Sequence, residues 1–121
     1  MVAILHGIDP SIMTSLCHVE SRHNPAAYVK HDGNSPSYGL CQIKLATAKS
    51  VGFTGKPQEL FDPVINAHYA ARYLAKQMTR YHGNVKLAVS AYNAGRAIKS
   101  NHKYVKKVMS CGYKKEMLSM Q

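Results

Sequence analysis

The chain has 121 residues, with sixteen Lys and Arg against six Asp and Glu and a net charge of +10 when histidine is neutral. That length suits one domain with a real core, and at 45% hydrophobic and 18% charged residues the chain is globular rather than disordered. The apolar runs are only a few residues long, which excludes a membrane-spanning helix, and the excess of positive charge points to an anionic partner.

The opening "MVAILHGIDP" has no basic n-region and no apolar stretch of useful length, so no signal peptide is expected and synthesis is placed in the cytoplasm. Asp9 as N-cap and Pro10 at the first helical position start a helix. Ile12, Leu16 and Val19 then recur at i, i+4, i+7 as one apolar face, and Glu20 falls near the end. Residues 24–38, "NPAAYVKHDGNSPSY", carry two prolines, a glycine and small polar residues, and are expected to be an irregular loop. "LATAKSVG" is a short helix stopped by Gly52. Asp62–Pro63 repeats the Asp-Pro start and opens a long helix whose inward side is marked by Ile65, Tyr69, Tyr73, Gln77 and Met78. "NVKLAVSAYNAG" is a shorter, nearly apolar helix ending at Asn93–Gly95. A basic last helix, about 97–121, puts Tyr104, Val105, Val108 and Met109 on one stripe and Lys103, Lys106 and Lys107 off it. Period-2 alternation is almost absent, so the expected class is all-α, mainly helical with little or no sheet, in a single compact domain over 1–121.

Cys17, Cys41 and Cys111 are odd in number, far apart and without a CxxC pair. They are read as free thiols made in a reducing compartment, with one disulfide and a spare thiol as the alternative. No metal site is expected: "HVESRH" lacks the H-E-x-x-H spacing of a zinc helix, and its H-x-E is not followed by P-C-x-x-C. No phosphate loop, dinucleotide fingerprint or Gly-x-Ser-x-Gly elbow occurs. Glu20 is the residue that stands out. Apolar neighbours disfavour its charged form and raise its pKa; moved from about 4.3 toward 6, a glutamate serves as a general acid near neutral pH. The plainer alternative is a solvated carboxylate at a helix end.

Two further segments join it. Glu20–Ser21, Gly39–Leu40–Cys41–Gln42–Ile43 and Ala91–Tyr92–Asn93–Ala94–Gly95 resemble, in order, the Glu-Ser, Gly-Leu-Met-Gln-Ile and Ala-Tyr-Asn-Ala-Gly motifs of the soluble lytic transglycosylases, within the lysozyme-like α+β superfamily. The resemblance extends over about residues 9–96 and takes in the helix between the second and third motifs. It implies that Glu20 is the single catalytic acid/base, and that the Tyr92 hydroxyl reaches it. Gln42 and Asn93 are implied to line a sugar cleft; Ser37 and Tyr38 are further candidate substrate contacts, although the loop before Tyr38 is longer than the family's and its N-acetyl-binding serine is not carried over. Cys41 replaces the usual methionine, and Lys44 stands where an apolar or small polar residue is common. "DGNSPSYGLCQI" is also similar to a segment of chicken-type lysozymes whose second catalytic carboxylate precedes Tyr-Gly; here that position is Ser37, and Asp32 lies five residues earlier. A retaining glycosidase needs a carboxylate there, so a one-carboxylate mechanism is favoured.

The implied activity is cleavage of the β-1,4 bond between N-acetylmuramic acid and N-acetylglucosamine in peptidoglycan, giving 1,6-anhydromuramic ends without cofactor or metal. The implied partners are glycan strands and the anionic envelope, with no nucleic acid, acting as a monomer. The setting is a phage endolysin made in the cytoplasm and released to the periplasmic wall, or a transglycosylase of a secretion system or virion. The alternatives are a muramidase hydrolysing the same bond, and a non-enzymatic basic helical module whose main support is the lysine-rich tail.

Overall fold

Asp9 opens the first helix by accepting from the Ser11 backbone N–H at 2.9 Å, with Pro10 in the first turn where no amide hydrogen is needed. In the computed structural model the backbone is described for residues 7–33 and 35–119, and side chains for 7–33 and 35–110. The elements in chain order are helix α1 (Pro10–Ser21), strands β1 (Tyr28–Asp32), β2 (Ser35–Tyr38) and β3 (Ile43–Lys44), helix α2 (Leu45–Ser50), a 3₁₀ turn (Pro57–Phe61), and helices α3 (Pro63–Arg80), α4 (Val85–Ala94) and α5 (His102–Ser119). Asp62 caps α3 as Asp9 caps α1, accepting from the Val64 and Ile65 amides. Gly95 ends α4 in the left-handed region at φ 84°, its N–H returning to the Ala91 carbonyl.

The main correction concerns residues 24–38. They hold β1 and β2, which pair antiparallel and continue into β3 as a three-stranded sheet of order β1-β2-β3. The prolines sit at positions that a short strand tolerates: Pro25 precedes β1, and Pro36 falls within the irregular stretch of the hairpin between the Val29–Ser37 and Asp32–Ser35 pairs. The fold is therefore mainly helical with a small sheet. Because cross-strand partners share a face, Tyr28, Tyr38 and Ile43 point one way and Val29, Ser37 and Lys44 the other.

Two apolar clusters result. The larger joins Ile12, Leu16 and Cys17 of α1 to Ala70, Ala71 and Leu74 of α3, Ala88 and Val89 of α4, and Val108 of α5. The smaller lies under the sheet, where Ile43, Ala48, Phe53 and Leu60 meet Tyr38, Ile65 and Tyr69. The deepest line of α3 is Asn66, Ala70, Leu74 and Gln77, one residue round from the expected Ile65, Tyr69, Tyr73 line. Small side chains let α3 approach its neighbours closely, and the tyrosines pack along the flanks. In α5 the expected stripe is the inward one: Val108 is buried, Tyr104, Val105 and Met109 are half-buried, and Lys103, Lys106 and Lys107 are exposed.

Cys17 and Cys41 are joined as a disulfide, which overturns their assignment as free thiols and removes the ground for a reducing compartment. The helical period of α1 puts Cys17 beside Met13 on its buried face, and the turn after β2 carries Cys41 to it. The Cys111 side chain lies outside the described residues.

Candidate active site

The site is built around the Gly39–Ile43 turn. Gly39 has φ +72°, and a Cβ there would come within 2.4 Å of the Leu60 carbonyl oxygen and 2.6 Å of Asn66 Nδ2, so only glycine fits. Asn66, fully buried on α3, holds this turn with all of its amide: Nδ2 donates to the Tyr38 and Leu60 carbonyls at 2.7 Å each, and Oδ1 accepts from the Cys41 N–H at 2.8 Å. The Cys41 carbonyl accepts from the Tyr92 hydroxyl at 2.8 Å. Ser21, at the end of α1, donates to the Leu40 carbonyl. Together with the disulfide, α1, α3 and α4 all converge on one short turn.

That turn presents Gln42 to a cleft lined by Glu20, Asp32, Gln42, Lys44, Tyr73, Tyr92 and Asn93, enclosing a cavity of about 150 Å³. Gln42 is 7% exposed and itself sits at φ 51°. Its Nε2 donates to the Ala27 and Gly39 carbonyls, while its buried Oε1 has no protein partner. An unmet buried acceptor costs about 1–3 kcal/mol, so Gln42 holds an acceptor ready for a donor that enters the cleft. Asn93 is ordered from the side: its Oδ1 accepts from Asn101 Nδ2 at 3.0 Å, and Asn101 in turn bonds Ser90.

Glu20 sits at the last turn of α1, half-buried, with its carboxyl pushed up from 4.5 to about 7. Burial is the main cause; a hydrogen bond from Tyr104 works against it, and the negative charge of Asp32 adds to it. The Tyr104 hydroxyl donates to Glu20 Oε2 at 2.7 Å. Burial first, and then the charge of Glu20, hold the Tyr104 phenol well above its usual range, so it is a neutral donor. A carboxyl poised near 7 is able to give a proton and take one back at neutral pH.

The structure brings Glu20, Gln42, Tyr92 and Asn93 to one cleft and leaves out two other expected residues. Ser37 is fully buried behind Asp32, donating its hydroxyl to Asp32 Oδ2 at 2.5 Å. Tyr38 turns to the opposite face of the sheet, against Tyr28 and Phe61. The partner expected for Glu20 also changes. Tyr92 spends its hydroxyl on Cys41, and Tyr104, from the basic last helix, takes the contact with the carboxylate. The available signal for Tyr104 was its place on the inward stripe of that helix, which packs along α1. Asp32 reverses a further expectation. Counted along the chain it is five residues from position 37, but the hairpin folds it back beside Ser37 and into the cleft. Among the described residues, no three His, Cys, Asp or Glu side chains gather as a metal site.

The model of the family described as the transglycosylase SLT domain matches residues 4–115. A transglycosylase of Enterobacteria phage PRD1 is 32% identical over 90 residues, 74% of this chain and 31% of that protein. The chain thus spans about a third of the length of that curated relative. An inactive mutant of the lytic transglycosylase Slt from Pseudomonas aeruginosa superposes with a TM-score of 0.81 at 23% identity, over 92% of this chain and 22% of that one. At that identity the likeness is one of fold.

Proposed function

The chain belongs to the transglycosylase SLT domain family, and on that footing we propose that it is a peptidoglycan lytic transglycosylase with Glu20 as its acid and base. The observation that carries this is a single glutamate, raised to about 7 and steered by a tyrosine, set in a polar cleft beside an unpaired glutamine oxygen. The cut falls on the β-1,4 bond after N-acetylmuramic acid. Protonated Glu20 gives its proton to the leaving glycosidic oxygen as the C1–O bond breaks. Positive charge at C1 is met by the substrate's own acetamido oxygen. Glu20, now ionised, takes the proton of the C6 hydroxyl on the same sugar, whose oxygen closes on C1 as a 1,6-anhydro ring. Tethering of that hydroxyl to the reacting ring supplies the high effective concentration that an intramolecular step needs. The Glu20 proton is restored at the end, so the cycle closes without a co-reactant.

Gln42 and Asn93 orient the sugars, Gln42 Oε1 accepting a substrate N–H or O–H. Tyr104 positions Glu20, and Tyr92 holds the turn that carries Gln42. Exposed Lys103, Lys106 and Lys107 draw the protein to an anionic envelope. The similarity to a phage protein supports a phage setting, as an endolysin or a wall-opening enzyme of the virion. Purified peptidoglycan treated with the protein should lose turbidity and yield muropeptides ending in 1,6-anhydromuramic acid, lighter by one water than hydrolytic products. Glu20→Gln should slow this by about 10²–10⁴-fold. Intact walls after treatment with folded wild-type protein would refute the proposal.

A further inference from the structure

The cleft holds a second carboxylate that the anhydro-forming cycle does not use. Asp32 ends β1, and the antiparallel pairing of Asp32 with Ser35 turns it toward the cleft that Glu20 lines. Its Oδ2 is fixed by the buried Ser37 hydroxyl at 2.5 Å, which leaves Oδ1 for another partner. The two carboxylates stand on different elements, α1 and β1, and both line a cavity of about 150 Å³ with room for several waters at roughly 30 Å³ each. They feel each other, since the charge of Asp32 helps keep Glu20 protonated. The site therefore holds a proton donor in Glu20 and, on a separate strand, a second carboxylate oxygen able to accept a proton. Glu20 has burial and an aromatic donor, whereas Asp32 has a serine hydroxyl and an open oxygen.

We propose, on the glycan-cleaving function argued above, that this cleft supports a second reaction, hydrolysis of the same bond, in which Asp32 is the base for an attacking water and Ser37 its positioning residue. Glu20 gives its proton to the leaving oxygen as the C1–O bond breaks. Water forms the new bond to C1 and passes a proton to Asp32 Oδ1, leaving a reducing muramic end. Asp32 then loses that proton to solvent and Glu20 regains one, so the site returns to its starting state. The C6 hydroxyl and the Asp32-held water compete for the same carbon, and the product mixture records the competition.

The test is the ratio of reducing to 1,6-anhydro muramic ends, read by mass spectrometry after rapid borohydride reduction of purified wall digests. Wild-type protein should give both, and Asp32→Asn should lower the ratio at least tenfold. The Asn side chain can still accept from Ser37, so a merely structural role would leave the ratio in place. Should the variant fail to fold, the wild-type protein is digested with methanol in the buffer. Methyl glycosides at muramic C1 then report an external hydroxyl reaching the carbon by the same route. Anhydro ends alone in wild-type digests, with no methyl glycoside, overturn the hydrolytic branch while leaving the transglycosylase intact. A ratio unchanged by Asp32→Asn, with both products falling together, also overturns it. No cleavage of either kind by wild-type protein overturns the transglycosylase function itself, and this branch with it.

Discussion

The Tyr104 hydroxyl donates to Glu20 at 2.7 Å, joining residues 84 positions apart in the chain. The bond places the carboxyl of α1 under the control of α5, the helix that also packs along α1 through buried Val108 and the Ser15 hydroxyl bonded to its carbonyl. Removing the hydroxyl has two separable effects. The hydrogen bond stabilises the ionised form of Glu20, so Tyr104→Phe should raise the Glu20 pKa further and move the alkaline limb of the rate profile to higher pH. Loss of a hydrogen bond to a charged group costs about 1.5–3 kcal/mol, and kcat should fall roughly tenfold or more. Tyr92→Phe should leave the alkaline limb nearly in place and lower the melting temperature, because its partner is the Cys41 carbonyl. An alkaline limb that moves with Tyr92→Phe and not with Tyr104→Phe would reverse the two roles.

The raised Glu20 pKa also costs stability, and the sign is fixed. Between about 4.5 and 7 the folded chain holds a proton that the unfolded chain has lost, so stability falls as pH rises through that window. The groups that act on Glu20 are Tyr104 from α5 and Asp32 from β1, and Glu20 in turn acts on Tyr92 from α4. Allowing for solvent screening at a half-buried site, the cost above pH 7 is about 2 kcal/mol. Glu20→Gln removes the charge and keeps an acceptor for Tyr104. Its melting temperature should exceed the wild type's by several degrees at pH 8 and match it at pH 4. An equal offset at both pH values would mean that the carboxyl is not strained by burial.

Asn66 is the side chain on which the Gln42 turn depends, with three hydrogen bonds to backbone groups of Tyr38, Cys41 and Leu60. Asn66→Ala would leave two carbonyls and one amide without that partner, at about 1–3 kcal/mol for each group that stays dry. A loss of about 3 kcal/mol in denaturant unfolding is expected, with weaker substrate binding as the Gln42 turn loosens. A loss below about 1 kcal/mol would show that the disulfide, Tyr92 and Ser21 hold the turn without it.

The sequence carried the helices and the three motif segments because their signals are local. Asp9–Pro10 and Asp62–Pro63 are helix starts that need no tertiary information. The β-hairpin was hidden because its strands are short and broken by Pro36, so no alternating run develops, and their pairing becomes visible only in register. The same gap hid Asp32, whose nearness to Ser37 is a cross-strand relation and not a spacing. Asn66 carries no local signal that sets it apart from other polar helix residues, and its use depends on where the Gly39 turn passes. Tyr104 could be placed on an inward stripe, but nothing local says which residue of α1 it meets. The disulfide joins residues 24 apart, and with three cysteines the pairing cannot be told from the count.

The Cys17–Cys41 bond links the helix of Glu20 to the turn of Gln42, so breaking it should act on both stability and catalysis. A crosslink closing a loop of this length contributes about 3 kcal/mol, chiefly by restricting the unfolded chain in the entropic account. Cys17→Ser with Cys41→Ser should therefore lower the melting temperature by about 10 °C for a chain of this size, and an excess of reductant should do the same to the wild type and nothing further to the double variant. Activity well below the melting point should fall less than stability does, because Ser21 and Asn66 still hold the turn by hydrogen bonds. A wild-type melting temperature that ignores reductant, in a sample whose free-thiol count has risen by two, would show that the bond adds nothing to the fold.

The basic face of α5 gives the last prediction. Lys103, Lys106 and Lys107 are exposed, while Tyr104 and Val108 of the same helix turn inward to Glu20 and the core. Their charge therefore meets solvent outside the buried stripe of the helix, where it can attract an anionic wall over roughly a Debye length, about 10 Å at 0.1 M salt and about 3 Å at 1 M. Replacing all three with Gln should weaken sedimentation with purified walls severalfold at low salt, and the difference from the wild type should close near 1 M. Cleavage of short soluble glycan fragments should keep its kcat, since such fragments reach the cleft without capture by the wall. If kcat on fragments falls in step with wall binding, these lysines belong to the cleft or to the packing of α5, and their charge is not a separate means of reaching the substrate.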